Sequence, residues 1–179
     1  NSTTASFTIE DPTPPAIGTL ASDTTVECDG LGNTTALQDW LTNHGGAVAS
    51  DVCGAVTWSN DYTALSDDCG GSGSATVTFT AADDCGNTSS TTATFSIEDT
   101  VSPTIDVVAS DMTVETDGSG NTADLQYWLD NHGGANASDP CSNVTWIHDF
   151  DSLTDLCGST GAATVTFTAT DDCGNSSTT

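Results

Sequence analysis

The chain contains no lysine and no arginine, against 26 aspartates and glutamates. With its three histidines neutral, its formal charge is −26 over 179 residues. This excludes charge-driven recognition of nucleic acid or of an anionic membrane, because no side chain is present to neutralise a phosphate. Self-repulsion on this scale has to be answered from outside, by salt or by bound divalent cations. No apolar run approaches the roughly 20 residues of a membrane-spanning helix, and none reads as a signal peptide. There is no Cys-x-x-Cys pair, no EF-hand loop, and no serine or cysteine in a nucleophile context. The histidines are sparse: His44 and His132 fall at the ends of predicted helices, and His148 faces Asn60 at the matching position of the repeat. A catalytic role and an organic cofactor are therefore not expected.

The most informative feature present is repetition. Residues 12–91 align with residues 100–179 without a gap, and more than half of the positions are identical. Internal repetition sets the expected unit of folding. The expected organisation is a terminal strand at 1–11, a first repeat at 12–99 and a second at 100–179. The chain starts and stops at nearly the same point of the repeat, so a window from a longer array is expected.

The pattern within a unit is mainly extended. Residues 75–81 alternate, with Val77 and Phe79 on one face and threonines on the other, and residues 163–169 repeat this. Residues 91–97 alternate again, with Ala93, Phe95 and Ile97 on one face. One or two extended segments with a turn around 21–23 are expected over 17–26, 105–114 alternates similarly, and short strands are expected at 56–58 and 144–146. The run Asp83-Asp84-Cys85-Gly86-Asn87 reads as a hairpin connection. One short helix interrupts each unit. Asn33 and Asn121 are the expected N-caps, with Asp124 in the capping-box position. Leu37, Trp40, Leu41 and His44 recur at helical spacing, as do Leu125, Trp128, Leu129 and His132, and Gly45 and Gly133 are the expected left-handed stops. The expected fold class is all-β: tandem immunoglobulin-like β-sandwiches, each with one short α-helix covering an end or edge. The expected core includes Trp40, Trp58, Phe79, Phe95, Trp128, Trp146 and Phe167.

Residues 5–11 match residues 93–99, whereas the second repeat stops before its own copy of that strand. Ala5, Phe7 and Ile9 would form the apolar face of the spare strand. Two explanations stay open: a covalent array, or strand complementation between copies.

Seven cysteines in a chain rich in threonine, serine and glycine point to an oxidising, extracellular setting. The simplest pairing joins Cys53 to Cys69 and Cys141 to Cys157. Each bond would close a loop of about 15 residues, worth roughly 3 kcal/mol. Cys28 would then join Cys85, leaving Cys173 unpaired or bonded to another chain, since Thr116 stands where a fourth cysteine would fall. Spacing alone does not determine connectivity.

The acids of interest are Glu10, Asp11, Glu98 and Asp99 at strand ends, and Asp83, Asp84, Asp171 and Asp172 in hairpin loops. Converging loops with several oxygens suit a hard cation such as Ca²⁺ at the domain junctions. The competing reading is solvated turn acids.

The segments at 26–29, 33–41, 56–58, 78–87 and 97–103 resemble repeats of giant secreted Bacteroidetes surface proteins of the gliding and adhesin type. The strand and turn at 80–87 also resemble the immunoglobulin-like hyalin-type repeat. The resemblance implies cell-surface export or secretion, cell adhesion, and O-glycosylation at Thr24, Thr100 and Ser152. Asn-x-Ser/Thr sequons add Asn33, Asn87, Asn136, Asn143 and Asn175 as glycoprotein sites. The expected function is a structural repeat of an extracellular filament or adhesin stalk. The alternatives are a carbohydrate- or protein-binding adhesin module and a strand-exchanged filament subunit. The expected partners are neighbouring copies of the same repeat, and a surface glycan or protein, with neither nucleic acid nor membrane insertion.

Overall fold

The computed structural model describes residues 2–179, which divide into two compact units. Unit 1 holds residues 2–26, 31–67 and 73–98, and unit 2 holds 27–30, 68–72 and 99–179. Two short segments lying inside the first repeat thus belong to unit 2.

Unit 1 is built on β1 (Ala16–Thr19), β2 (Thr24–Glu27), α1 (Thr34–Thr42), β3 (Val48–Ser50), β4 (Thr57–Asn60), β5 (Gly73–Ala82) and β6 (Thr88–Glu98). Its main sheet has the order β2-β6-β5-β4, and β1 pairs separately with β3. The period-two pattern decides which face of the long β5/β6 hairpin is buried. Val77, Phe79, Ala81 and Phe95 are all 0% exposed. On the opposite face Thr76 and Thr94 are register partners, with their hydroxyls 3.0 Å apart. The hairpin is closed by the Asp83–Asn87 turn, where Asp83 N–H donates to the Asn87 carbonyl at 3.1 Å and Gly86 takes φ +88°.

The expected all-β sandwich is not what forms. The fold is mixed α/β, with two α-helices and five sheets of two to four strands among the described residues. The reason lies in what covers the sheet. Trp40 of α1 packs edge-on against Phe79 at a centroid distance of 5.1 Å, and against Phe95 at 5.5 Å. Leu37, Trp40 and Leu41 are the helix's buried stripe. The helix therefore supplies apolar cover for the main sheet instead of capping an edge. Trp40 Nε1–H donates to the Ser22 carbonyl at 3.2 Å, so the indole is buried with its donor satisfied.

The helix ends also differ from expectation. Asn33 and Asn121 occupy the N-cap positions, but in left-handed conformation and with no side-chain cap bond. Asn tolerates positive φ better than most residues, which is reason enough for it there. The left-handed stop begins one residue before the expected glycine, at His44 (φ +56°) and His132 (φ +55°). Gly45 follows at φ +64°. A Cβ there would lie 3.1 Å from Ala21 and 3.2 Å from the Phe79 ring. His44 stacks on Trp58 at 4.8 Å.

Unit 2 repeats the plan with β7 (Thr104–Val107), α2 (Thr122–Asp130), β8 (Asn136–Ser138), β9 (Thr145–His148), β10 (Thr154–Asp155), β11 (Gly161–Ala162), β12 (Phe167–Thr170) and β13 (Ser176–Thr178). Its sheets are β13-β12-β9, β7-β8 and β10-β11. Phe167 and Ala169 are fully buried, and Trp128 meets Phe167 at 5.2 Å. The strands expected at 105–114 and 163–169 are shortened to β7 and β12. Trp128 is only half-buried and lines a cavity of about 1050 Å³ together with Met112, Val114, Leu125 and Val165. Trp58 and Trp146 are likewise half-buried, each stacked on a histidine rather than enclosed. Residues 2–11, with Ala5, Phe7 and Ile9, pair with no strand, and Phe7 is 89% exposed.

Phe79→Ala should cost unit 1 about 3–5 kcal/mol, because the ring is fully buried and touches both Trp40 and His44. Chemical denaturation of the wild type and the variant checks this. Burial lowers the pKa of His44 below its ordinary value of 6.5. Its neutral form therefore favours the fold, and stability should fall as pH drops below about 6.5 toward the folded-state pKa. In His44→Phe this acid-side slope should shrink, as read by melting temperature between pH 7.5 and 5.

Candidate metal centre

Three carboxylates converge in unit 2. Asp99 follows the last residue of β6, Asp139 follows β8, and Asp171 follows β12. Each offers an oxygen, and these oxygens all lie within 4.8 Å of one another. Asp99 and Asp171 are buried and Asp139 is half-buried.

Most of the oxygens are held by specific donors. Asp171 Oδ1 accepts from the backbone N–H groups of Cys173 (2.9 Å) and Asn175 (2.8 Å). Its Oδ2 accepts from Asn175 Nδ2 at 2.9 Å, and the same amide reaches the Asp99 carbonyl at 3.0 Å. Asn175 thus ties the hairpin turn to the segment carrying Asp99. Asp99 Oδ2 accepts from the Ser142 hydroxyl at 2.7 Å. Asp139 Oδ1 accepts from the N–H groups of Cys141 (2.8 Å) and Ser142 (3.0 Å). Asp139 Oδ2 is buried and has no hydrogen-bond donor.

Unit 1 carries a second cluster, Asp11, Asp51 and Cys53, in which the two aspartates match Asp99 and Asp139 of the repeat but Cys53 matches Cys141 and not Asp171. Asp51 Oδ1 accepts from Cys53 N–H at 2.7 Å, and Asp11 Oδ1 accepts from Thr13 N–H at 3.1 Å. Asp83 stands where Asp171 does. It accepts from Cys85 and Asn87 N–H at 2.9 Å each and from Asn87 Nδ2 at 2.8 Å, while Asn87 Nδ2 also reaches the Asp11 carbonyl at 2.9 Å. The Asn87 side-chain bond is the main cause that holds the Asp83 carboxyl below its ordinary range, helped by backbone N–H groups. The Asp11 carboxylate, more than burial, pushes the Cys53 thiol up. A protonated thiol is a poor metal ligand, so the unit 1 cluster is the weaker of the two.

Of the acids singled out in the sequence, Asp11, Asp99 and Asp171 enter a cluster, and Asp83 is latched beside the first. Glu10, Glu98, Asp84 and Asp172 belong to neither cluster. Asp172 instead accepts from the Asn143 backbone and side chain at 3.3 Å. Each cluster is formed within one unit. Asp51 and Asp139 escaped the sequence reading, although the run Ala-Ser-Asp-x-Cys recurs at 49–53 and 137–141. Asn33 is buried, and the Asn87 and Asn175 amides are committed to the carboxylates, so these three sequons are poor glycan acceptors. Asn136, Asn143, Thr100 and Ser152 are exposed, and Thr24 is half-buried.

The disulfides differ from every expected pairing. Cys28 bonds Cys141 and Cys69 bonds Cys173, with Cα atoms 6.2 and 5.0 Å apart. Cys53, Cys85 and Cys157 are exposed thiols. The partners are separated by 113 and 104 residues, which sequence spacing could not reveal. Both bonds end beside the site, two residues after Asp139 and two after Asp171. They anchor segments 27–30 and 68–72 in unit 2 and hold the two loops that present the carboxylates. Two disulfides point to an oxidising environment. Among the described residues no helix is long and apolar enough to cross a membrane.

No protein-family model matches the chain, and no curated protein matches it. The resemblance to Bacteroidetes surface repeats and hyalin-type immunoglobulin domains therefore does not hold, since the mixed α/β fold removes its structural basis. The readings as a filament or stalk repeat, an adhesin module or a strand-exchanged filament subunit fall with it. What stands in their place is a mixed α/β architecture with internal disulfides and one largely buried carboxylate cluster, in unit 2.

Asp83's lowered pKa contributes stability above the ordinary carboxylate pKa of 3.8, lost as pH falls through the folded-state value. Asn87→Ala should therefore destabilise the protein more at pH 7 than at pH 2, as denaturation at both pH values would show. Reduction of both disulfides should lower the melting temperature substantially, since the chain-entropy limit for a loop of about 100 residues is about 4.7 kcal/mol. A melt in reducing agent, with thiol counting, checks this.

Proposed function

We propose that this chain is a secreted or cell-surface divalent-cation-binding protein, with calcium as the ion of the Asp99–Asp139–Asp171 site. The observation that carries the reading is Asp139 Oδ2, a buried carboxylate oxygen with no donor, set among two further carboxylates. A buried charge without a partner is costly. With no lysine or arginine in the chain, a cation from solution is the natural counter-charge.

The spacing also suits calcium. Two oxygens that each lie about 2.4 Å from one ion are at most about 4.8 Å apart. The unit 2 cluster contains neither cysteine nor histidine. An all-oxygen donor set favours hard ions over zinc or copper. Calcium tolerates irregular geometry from converging loops, whereas magnesium demands a near-ideal octahedron. Binding would tie together the unit 2 segments that carry Asp99, Asp139 and Asp171 and so stabilise unit 2. The reading assigns no catalysis to the chain.

Titration calorimetry and melting curves test it. Calcium should bind, and at 100 times its Kd should stabilise the fold by about 2.7 kcal/mol. Asp139→Asn should weaken binding at least tenfold without unfolding the protein. No heat and no thermal shift up to 10 mM calcium would refute the reading.

A further inference from the structure

We propose that Cys157 of one copy of this chain forms a disulfide with Cys85 of a second copy. The docking would repeat one that is already built inside unit 2. There, the turn bearing Cys69 lies on the turn bearing Cys173, and the two sulfurs are bonded. In the repeat alignment Cys157 corresponds to Cys69, and Cys85 to Cys173. Cys157 and Cys85 are exposed thiols.

Each half of the pair is already shaped. At Cys69, Ser72 Oγ donates to the Cys69 carbonyl at 2.6 Å, Asp68 N–H donates to the Ser72 carbonyl at 3.2 Å, and Gly70 takes φ +56°. At Cys157, Thr160 Oγ1 donates to the Cys157 carbonyl at 2.6 Å, Leu156 N–H donates to the Thr160 carbonyl at 3.1 Å, and Gly158 takes φ +66°. On the other side, Cys173 N–H donates to Asp171 Oδ1 and Cys85 N–H to Asp83 Oδ1, each at 2.9 Å. The glycines that follow, Gly174 and Gly86, take φ +92° and +88°.

The fit has room for the second copy. In unit 2 the Cys141 carbonyl and the Ser142 hydroxyl crowd Gly70 so closely that a Cβ would collide with them. A second copy would meet Gly158 with Gly54, which stands where Ser142 does and has no side chain to obstruct the approach. The chemistry also limits the contact to one bond. Thr116 replaces the cysteine equivalent to Cys28, so Cys53, equivalent to Cys141, meets no cysteine of the other copy, and the nearby thiol of its own copy, Cys85, is taken by Cys157. In forming the bond, the two thiols lose two protons and two electrons. A low-molecular-weight disulfide takes these up by thiol–disulfide exchange and is reduced to two thiols.

Non-reducing electrophoresis of the whole chain, oxidised with glutathione disulfide in 0.15 M salt, tests the proposal. Covalent oligomers should form and should collapse to monomer with reductant. Peptide mapping with a protease cutting at aspartate should find Cys85 linked to Cys157 and Cys53 alkylatable. Cys85→Ser and Cys157→Ser should each remain monomeric alone, yet form a covalent dimer and nothing larger when mixed. Cys53→Ser should oligomerise like the parent. A parent that stays monomeric with Cys85 and Cys157 alkylatable, or a linkage through Cys53, would overturn the proposal.

Discussion

Three aspartates meet in unit 2 of a chain that has no lysine or arginine to offer them. The hydrogen bonds around them hold like charges together. Backbone N–H groups, one asparagine amide and a serine hydroxyl together satisfy most of the oxygens. These neutral donors position the carboxylates without cancelling their charge. Asp139 Oδ2 is buried and accepts from no donor, and it is the point at which the proposed cation would act.

The fold provides the positioning by pairing local turns with distant anchors. The Asp-x-Cys-Gly-Asn turns fold through short-range bonds from backbone N–H to carboxylate, and they are nearly identical in both units. Asn87 and Asn175 extend each turn to a segment 76 residues away in sequence. Disulfides then fix the cysteines that follow Asp139 and Asp171. The two units differ at this last step. Cys141 is bonded, whereas its counterpart Cys53 is an exposed thiol beside Asp11, so only unit 2 has its cluster locked by sulfur.

Much of the local structure was legible in the sequence. The alternation over Val77, Phe79 and Ala81 reports a face that is in fact fully buried, and the Leu37, Trp40, Leu41 stripe reports a real helix. The fold class was misread because short threonine-rich strands are shared by sandwiches and by small mixed sheets, and no local pattern says that Trp40 will lie on Phe79 and Phe95. The site was legible in part. Asp99 stands out as a repeated acid at a strand end and Asp171 as one in a hairpin loop, while Asp139 is hidden in an ordinary loop. The disulfides were the least legible. Short spacing favoured Cys53 with Cys69, but the pairs that form join residues more than 100 positions apart, and their proximity is a product of the tertiary fold.

The most direct test of the cation account is a crystal grown in calcium, with data collected where calcium scatters anomalously. The account predicts one anomalous peak in unit 2, about 2.3–2.6 Å from oxygens of Asp99, Asp139 and Asp171. Well-ordered carboxylates with no peak between them, and a water or a second protein donor on Asp139 Oδ2, would contradict it.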